Sequence, residues 1–295
     1  MSGTTPSRLV AFNDGTHGAL FGSWQLKSAF QPIFTLASGT AEIAGFEALI
    51  RPFLAGRAAS PATLFRNVNG GAREALETVM RDLHMTNAAA LPVKDALLFI
   101  NLDPSAFSDM LMISQALASV RRQWAKTGNA PRRLVCEITE GKAKSPALLF
   151  SLADTIRANG FRLAIDDYGA KNSDAARLAR LRPDIVKFDG RWVTRLMQTK
   201  AGYGQAKDMV QHFAGLSIET VFEGIEDLRQ LELSQSAGAT FVQGFALARP
   251  EIAPTRFARF LAPSIPQSAR DALISAVQHL AVQDQQNIGY GHRAA

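Results

Sequence analysis

The hydrophobic pattern of the chain begins with two apolar runs joined by a very short polar turn. Residues 29–36 and 43–51 are rich in strand-forming side chains, and Ser38, Gly39 and Thr40 between them predict a tight turn. A connection this short can join only antiparallel neighbours, because a parallel crossover needs about a dozen residues or more. The pattern therefore predicts a β-hairpin at the start of the fold.

Beyond the hairpin, short apolar runs alternate regularly with segments of helical periodicity. Further strands are predicted at 96–102, 134–139, 161–167, 184–189, 219–224 and 240–244. Helices are predicted at 61–67, 73–90, 114–126, 146–158, 174–181, 193–214, 227–236 and 254–261. Repeated strand–helix units indicate parallel strands with right-handed crossovers. Eight strands favour an α/β fold, a TIM-like (β/α)8 barrel with an antiparallel first strand; an open doubly wound sheet is the alternative.

The two ends of the chain fall outside this alternation. Residues 1–22 are predicted to be a flexible leader, because glycine, asparagine and aspartate are scattered through them. The barrel domain is predicted to span 23–263, and 264–295 to form a C-terminal helix and tail. Within this tail, 267–283 has apolar side chains at helical spacing and predicts a helix that lies on the barrel or on a partner protein. The last residues, 284–295, are expected to be frayed.

Composition limits the class of protein. A hydrophobic content of 47% with 20% charged residues is typical of a globular protein with a substantial core. The net charge is +6, but no basic run with interleaved aromatic residues indicates binding to DNA or RNA polymers. The single cysteine, Cys136, excludes an internal disulfide and agrees with a reducing compartment. No membrane-length apolar segment and no secretion signal are visible, so a cytoplasmic location is expected.

Polar side chains collect at the carboxyl ends of the predicted strands, where a barrel of this kind places its active site. They are Glu47, Asn101, Glu137, Asp166, Asp167, Lys187, Glu223 and Gln243. Five are carboxylates, which would repel one another in a mouth of low dielectric constant beyond what Lys187 compensates. Oxygen ligands without histidine or thiolate favour Mg²⁺ or Mn²⁺, and there are enough of them for two ions. Such a pair suits in-line displacement at phosphorus.

Each of these residues also has a purely structural interpretation. Glu47 fits an outward-facing strand carboxylate, Asn101 a helix cap, and Lys187 a structural ion pair. Glu223 and Gln243 each precede a glycine and fit strand-ending turns. Together these alternatives are weak, because chance would rarely place a polar residue at every strand end.

The sequence Glu47-Ala48-Leu49, followed by Ile50-Arg51, resembles the signature of the EAL-domain phosphodiesterases, which hydrolyse cyclic di-GMP. The likeness covers roughly residues 24–262. Its further motifs are Gln31-Pro32-Ile33, Asn101, Glu137-Ile138-Thr139-Glu140, Asp166-Asp167-Tyr168-Gly169, Lys187-Phe188-Asp189, Glu223-Gly224-Ile225-Glu226, Gln243-Gly244-Phe245 and Pro250.

The resemblance implies a role for each matching residue. It assigns Glu47, Asn101, Glu137 and Asp166 to a first metal ion, and Asp166, Asp167 and Glu223 to a second, the ions being Mg²⁺ or Mn²⁺. By the same resemblance Lys187 holds the attacking water, and Gln243 positions the site. Gln31, Arg51 and the backbone near Leu49 would contact the substrate, and Glu140 would anchor the loop after Asp167. The catalytic group would comprise Glu47, Asp167, Lys187, Glu223 and Gln243.

The loop after the paired aspartates departs from the family pattern. The family usually has Phe-Gly-Thr-Gly-Tyr/Phe-Ser-Ser, whereas residues 168–174 are Tyr-Gly-Ala-Lys-Asn-Ser-Asp, and Pro52 replaces a tryptophan. The leading hypothesis is hydrolysis of cyclic di-GMP to the linear dinucleotide. One alternative is a receptor that binds cyclic di-GMP without cleaving it and signals through a protein partner. Another is a scaffold that binds no nucleotide, and the sequence leaves open whether the chain forms a homodimer.

Overall fold

The structure, a computed structural model, describes residues 7–37, 40–68, 70–139, 144–169 and 175–260. The chain divides into two compact units, Met1–Arg256 and Phe257–Ala295. In the second unit the described residues form a 3-10 helix, Phe257–Phe260. The predicted C-terminal helix and the frayed end lie outside the described residues.

The first unit contains twelve strands and eight helices in the described residues. The strands are β1 (Ser7–Ala11), β2 (His17–Phe21), β3 (Trp24–Ala37), β4 (Thr40–Leu54), β5 (Arg57–Ala58), β6 (Leu97–Asn101), β7 (Leu134–Thr139), β8 (Arg162–Tyr168), β9 (Ile185–Phe188), β10 (Glu219–Phe222), β11 (Phe241–Val242) and β12 (Glu251–Ile252). The helices are α1 (Pro61–Asn67), α2 (Gly70–Ala88), α3 (Met110–Ala125), α4 (Pro146–Ala158), α5 (Ala175–Leu181), α6 (Gly190–Leu196), α7 (Lys200–Gly215) and α8 (Leu228–Ala237). None of these helices is long and apolar enough to cross a membrane.

Eight of the strands close into a barrel. Their order around it is β3, β4, β6, β7, β8, β9, β10 and β11, and β11 pairs again with β3. β3 is antiparallel to both of its barrel neighbours, while β4 and the strands after it pair in parallel. The predicted TIM-like barrel with an antiparallel first strand is confirmed, and the alternative of an open doubly wound sheet is wrong.

An apolar layer fills the barrel below its mouth. It consists of Ile33, Phe99, Val135, Ala164, Ile185, Val221 and Phe241, most of them fully buried. These side chains come from seven of the barrel strands, so the interior is a packed core rather than a channel. The opposite faces of the same strands pack against the surrounding helices, which is why the strands are nearly continuous apolar runs in the sequence.

Side-chain caps fix where several helices begin. The Asp109 side chain accepts a hydrogen bond from Met112 N at 2.9 Å, and Asp227 accepts one from Gln230 N at 2.7 Å. Such caps satisfy backbone N–H groups that have no partner within the helix. Because Asp109 caps α3, this helix begins four residues earlier than its apolar periodicity predicted.

The prediction of a flexible leader at 1–22 is wrong for residues 7–21, which form β1, a turn and β2. β2 pairs with the first residues of β3, and the partners Phe21 and Trp24 leave a two-residue turn at Gly22 and Ser23. Gly22 has a φ of +57°, which glycine adopts at little cost. These strands extend the β3–β4 hairpin beyond the barrel. One face of the extension, with Leu26 and Ile50, packs on α1 and α2 in a second apolar cluster.

Two helix predictions also need correction. The single long helix predicted at 193–214 is two helices, α6 and α7, because Thr199 caps a new start by accepting a hydrogen bond from Gly202 N at 3.0 Å. A Cβ at Gly202 would lie 2.4 Å from the Leu196 carbonyl oxygen, so the junction needs glycine there. The helix predicted at 254–261 is only a 3-10 helix at Phe257–Phe260.

Candidate functional site

The polar residues predicted at the strand ends meet at one mouth of the barrel. Six of them stand two positions beyond an apolar residue of the interior layer, on the same face of the strand, because side chains alternate along it. The pairs are Phe99 and Asn101, Val135 and Glu137, Ala164 and Asp166, Ile185 and Lys187, Val221 and Glu223, and Phe241 and Gln243. Glu47 and Gln31 are cross-strand partners in the β3–β4 hairpin at the same end.

Lys187 lies at the centre of this mouth and is almost completely buried. Its Nζ is 2.7 Å from Glu137 Oε1 and 2.7 Å from Glu223 Oε1. Asp166 Oδ1 lies 3.3 Å away and Glu47 Oε2 3.7 Å away. One ammonium group therefore faces four acidic side chains, more than it can neutralise when all of them are ionised.

Burial and mutual repulsion shift the ionisation of this group. Burial raises the pKa of Glu137 well above its ordinary value, although Lys187 opposes the shift. Burial likewise raises the pKa of Glu223, to about 8. For Lys187, burial alone would lower the pKa, but the surrounding carboxylates outweigh it and hold the pKa well above its ordinary value. Without a further cation, Glu137 and Glu223 therefore tend to hold their protons, and a divalent ion would compensate the negative charge of their ionised forms.

A β-bulge brings the two aspartates of β8 to the same side. Ile165 is opposite Val186 and Tyr168 is opposite Phe188, so Asp166 and Asp167 together face the single residue Lys187. Asp167 has a φ of +58°, in the left-handed region. In a regular strand adjacent side chains point to opposite faces, and the extra residue of the bulge removes this constraint.

The resulting cluster has the donor chemistry of a divalent-cation site. Single carboxylate oxygens of Asp166, Asp167 and Glu223 lie within 4.8 Å of one another. Oxygen donors without sulfur or imidazole suit hard ions such as Mg²⁺ and Mn²⁺. Glu137 Oε2 is buried and has no hydrogen-bond partner among the described residues, so it is free to accept a further donor or a cation. The residues present therefore fit such an ion.

Gln243, just after β11, fixes the side chain of Glu47 on β4, two strands away around the barrel. Gln243 Nε2 donates a hydrogen bond to Glu47 Oε2 at 2.8 Å. Gln243 Oε1 is buried and has no hydrogen-bond partner within the described ranges, which leaves one acceptor for a ligand. Gln31 Nε2 donates to the Ala248 carbonyl oxygen at 3.2 Å, which ties the segment after β11 to the hairpin.

Two cavities open at the mouth. One, of about 220 Å³, is lined by Gln31, Glu47, Glu223, Gly224, Glu226, Gln243, Gly244 and Phe245. The other, of about 260 Å³, lies between the mouth and α2, and includes Leu49, Arg51, Asn101 and Glu137 in its lining. The residues expected to contact substrate, Leu49 and Arg51, thus share a cavity with two of the expected metal ligands. Glu140, expected to anchor the loop after Asp167, lies outside the described residues.

A row of charged residues on α2, which the sequence pattern did not predict, lines one side of the second cavity. Arg73 Nε lies 3.2 Å from Glu77 Oε1, and Arg73 Nη2 lies 2.8 Å from Asp103 Oδ2, two residues after Asn101. Arg81 is buried with Nη1 3.7 Å from Glu77 Oε2. Burial raises the pKa of Glu77 and lowers that of Arg81. The four-residue spacing was visible in the sequence, but such pairs are ordinary on exposed helix surfaces.

Comparison with known proteins gives the family context. The profile of the EAL domain matches residues 19–250. The chain is 27% identical over 243 residues to the cyclic di-GMP phosphodiesterase NbdA of Pseudomonas aeruginosa, which is 77% of this chain and 29% of that protein. It is 32% identical over 123 residues to the cyclic di-GMP phosphodiesterase PdeB of Shewanella oneidensis, which is 41% of this chain and 14% of that protein. The chain therefore spans less than a third of the length of these relatives.

Solved structures share the fold. Klebsiella pneumoniae BlrP1, in complex with manganese and cyclic di-GMP, superposes with a TM-score of 0.69 at 24% identity, over 84% of this chain and 59% of that chain. A standalone EAL protein from Vibrio cholerae in a cyclic di-GMP-bound form gives a TM-score of 0.66 at 24% identity, over 79% of this chain and 97% of that chain. With the profile match over most of its length, the chain belongs to the EAL domain family.

Proposed function

We propose that this chain is a metal-dependent phosphodiesterase that hydrolyses cyclic di-GMP to the linear dinucleotide. The observation that supports this most is the barrel mouth itself, where four carboxylates surround Lys187 and a bulge adds a fifth, Asp167. A mouth with this excess of acidic side chains over cationic ones is suited to divalent cations and to an anionic substrate that the cations attract.

Two groups of residues would hold the ions. Glu47, Asn101, Glu137 and Asp166 would bind a first Mg²⁺ or Mn²⁺ ion, and Asp166, Asp167 and Glu223 a second. When bound, such ions lower the pKa of a shared water and screen the negative charge that develops at phosphorus. The buried, unpartnered Glu137 Oε2 and the raised pKa of Glu223 are both consistent with carboxylates that gain from a cation.

The remaining side chains would orient the reactants. Lys187 would donate a hydrogen bond to the attacking water, and the contacts of its Nζ with Glu137 and Glu223, at 2.7 Å each, support this role because they fix the ammonium group. Gln243 keeps Glu47 in one orientation through its side-chain amide. Arg51, on the strand that carries Glu47, would bind the substrate phosphate together with the backbone near Leu49, because a guanidinium matches phosphate oxygens in pairs.

The direct experiment follows the nucleotide by chromatography. Purified protein incubated with cyclic di-GMP and either Mg²⁺ or Mn²⁺ should produce the linear dinucleotide, and a chelator should stop the reaction. Glu47→Ala is the matched control. It removes a proposed metal ligand, while the side chains on the opposite face of β4, which pack in the core, are unchanged. Absence of product with both ions would refute the hydrolase.

A second candidate function is a receptor that binds cyclic di-GMP without cleaving it. The contacts of Lys187 favour it, because the ammonium already neutralises part of the carboxylate charge that an ion would need. The sequence after Asp167, which differs from the family pattern, points the same way. Calorimetry that detects tight nucleotide binding while chromatography detects no product would establish the receptor.

A further inference from the structure

The barrel wall has a gap at its mouth, between β4 and β6. The parallel pairing of these two strands ends where Glu47 lies opposite Phe99. Beyond this pair, Leu49 after Glu47 and Asn101 after Phe99 both line the cavity of about 260 Å³. On the side of β4, the last residues of β6 therefore lack the backbone hydrogen bonds that a paired strand supplies, as far as the described residues show.

Asn101 ends β6, and its side chain does not fix its own position. The residue is exposed, and its amide has no hydrogen-bond partner in the part of the chain that the structure describes. On the side of β7, Asn101 is the register partner of Glu137, and Leu102 N donates a hydrogen bond to Glu137 O at 2.8 Å. A neutral amide oxygen is useful to a cation only if it is held in place, so the position of Asn101 depends on the backbone that follows it.

Asp103 fixes this backbone at the gap. Its Oδ1 accepts hydrogen bonds from Ser105 N at 3.0 Å and from Ser105 Oγ at 2.7 Å, and so caps the 3-10 helix Pro104–Ala106. Its Oδ2 lies 2.8 Å from Arg73 Nη2. Both oxygens of the carboxylate are thus engaged, and the bond to Arg73 connects the segment after β6 to α2.

The Arg73 guanidinium is itself held from two further directions. Its Nε lies 3.2 Å from Glu77 Oε1, and its central carbon lies 4.1 Å from the centre of the Phe65 ring. Glu77 is buried and has a second partner in Arg81, whose Nη1 lies 3.7 Å from Glu77 Oε2. A guanidinium can offer separate N–H groups to two carboxylates and a flat face to a ring, whereas an ammonium group cannot match this geometry. Arg73 is therefore a rigid anchor for Asp103.

We propose that Arg73 is a positioning residue for the first metal ion, because it holds the end of β6, through Asp103, in the position that turns the Asn101 amide toward the mouth. The inference rests on the proposed function, in which Asn101 is a ligand of that ion. Without Arg73 the end of β6 is held only on the side of β7, so Asn101 samples orientations that do not bind. The apparent affinity for the ion then falls in proportion to the fraction of protein that remains competent.

Mn²⁺ binding to the whole protein, followed by electron paramagnetic resonance of the free ion, tests this without turnover. Arg73→Gln should weaken the binding of one ion about tenfold and leave the second ion unaffected. Arg73→Lys keeps the charge but not the planar fork, so it should recover only part of the loss. Arg157→Gln is the matched control. It removes an arginine that likewise connects two elements, α4 and the end of α5, by donating to the Leu181 carbonyl oxygen at 2.6 Å, and it should change neither ion.

A double-mutant cycle separates positioning from a general structural role. If Arg73 acts through Asn101, then Arg73→Gln should weaken Mn²⁺ binding no further once Asn101→Ala has removed the ligand. Equal losses with and without Asn101→Ala would show a general disturbance of the mouth and overturn the proposal. Unchanged Mn²⁺ affinity in Arg73→Gln would overturn it as well. If Arg73→Gln does not fold, Asp103→Asn gives the same comparison, because it keeps an oxygen for Ser105 and removes the charged contact.

Other outcomes separate this proposal from the proposed function. If the wild type binds Mn²⁺ but does not cleave cyclic di-GMP, the hydrolase fails, and the double-mutant cycle still decides the role of Arg73. If the wild type binds no Mn²⁺, both proposals fail. In an active protein, Arg73→Gln should require more Mn²⁺ for half-maximal rate, while kcat at saturating Mn²⁺ stays within about twofold of the wild type, because no reacting group has been removed. A kcat that stays low at saturating Mn²⁺ would contradict a role in positioning the ion.

Discussion

Lys187 and Glu137 form a buried ion pair at the centre of the barrel mouth, with 2.7 Å between Nζ and Oε1. Both side chains are almost completely inaccessible to solvent. A buried charge is tolerated only with a partner, and removal of one member leaves the other uncompensated. The pair therefore has a structural role besides the proposed role of Lys187 in holding water.

Lys187→Met should lower the free energy of unfolding by about 3–5 kcal/mol in metal-free buffer, because Glu137 and Glu223 lose their nearest cation. Added Mn²⁺ should recover part of this loss, and should stabilise the variant more than the wild type. Urea unfolding with and without Mn²⁺ measures both effects. Lys207→Met, on the surface, serves as the control. Equal stability of Lys187→Met and wild type without metal would contradict the prediction.

Asp167 tests the role of the bulge. Asp167→Asn and Asp167→Gly both suit the left-handed backbone at φ +58°, so the fold should be little affected while the affinity for Mn²⁺ falls. Asp167→Ala should lose the same affinity and in addition about 1 kcal/mol of stability, because a Cβ without a polar group disfavours this conformation. Calorimetric titration with Mn²⁺ and thermal unfolding distinguish the two effects. Full Mn²⁺ affinity in Asp167→Gly would remove this residue from the site.

His84 should make the fold sensitive to acid. Burial lowers its pKa from 6.5 to about 3, and its Nδ1 lies 2.9 Å from Ser28 Oγ. The unfolded chain therefore binds a proton at this residue below pH 6.5, where the folded chain does not. Stability should fall as the pH falls through this window, by about 1.4 kcal/mol per pH unit from this group.

His84→Gln keeps a side chain that can bond to Ser28 but does not titrate. We expect denaturant unfolding of this variant to depend less steeply on pH between about 6 and 4 than that of the wild type. His212→Gln, on α7, provides a control histidine. Parallel pH profiles for wild type and His84→Gln would show that His84 does not cause the acid sensitivity.

Much of the fold and of the mouth followed from local patterns. Parallel strands buried on both faces are continuous apolar runs, so their positions and the polar residues that end them are visible in the sequence. Because side chains alternate along a strand with a period of two, the residue two positions after a core residue points into the mouth, as Glu137 does after Val135. The short turn after β3 was sufficient to predict that this first barrel strand is antiparallel to β4.

The remaining features depend on tertiary structure. Nothing local distinguishes the bulge at Asp167 from a regular strand end, because it is defined by pairing with β9. The glycines near the amino terminus suggest flexibility when only the sequence is considered, whereas Gly22 forms a tight hairpin turn. The alternation of buried and exposed residues from Trp24 to Lys27 is the signal that could have extended β3 toward the amino terminus. Burial of the pair Glu77 and Arg81 depends on what packs on α2.

Anomalous diffraction from crystals grown with Mn²⁺ and cyclic di-GMP tests the central claim most directly. We expect two manganese peaks at the barrel mouth, one on each side of the Asp166 carboxylate, the first among Glu47, Asn101 and Glu137. The second should lie by Asp167 and Glu223. Crystals that contain the nucleotide but show no manganese peak at these carboxylates would contradict the metal-dependent site.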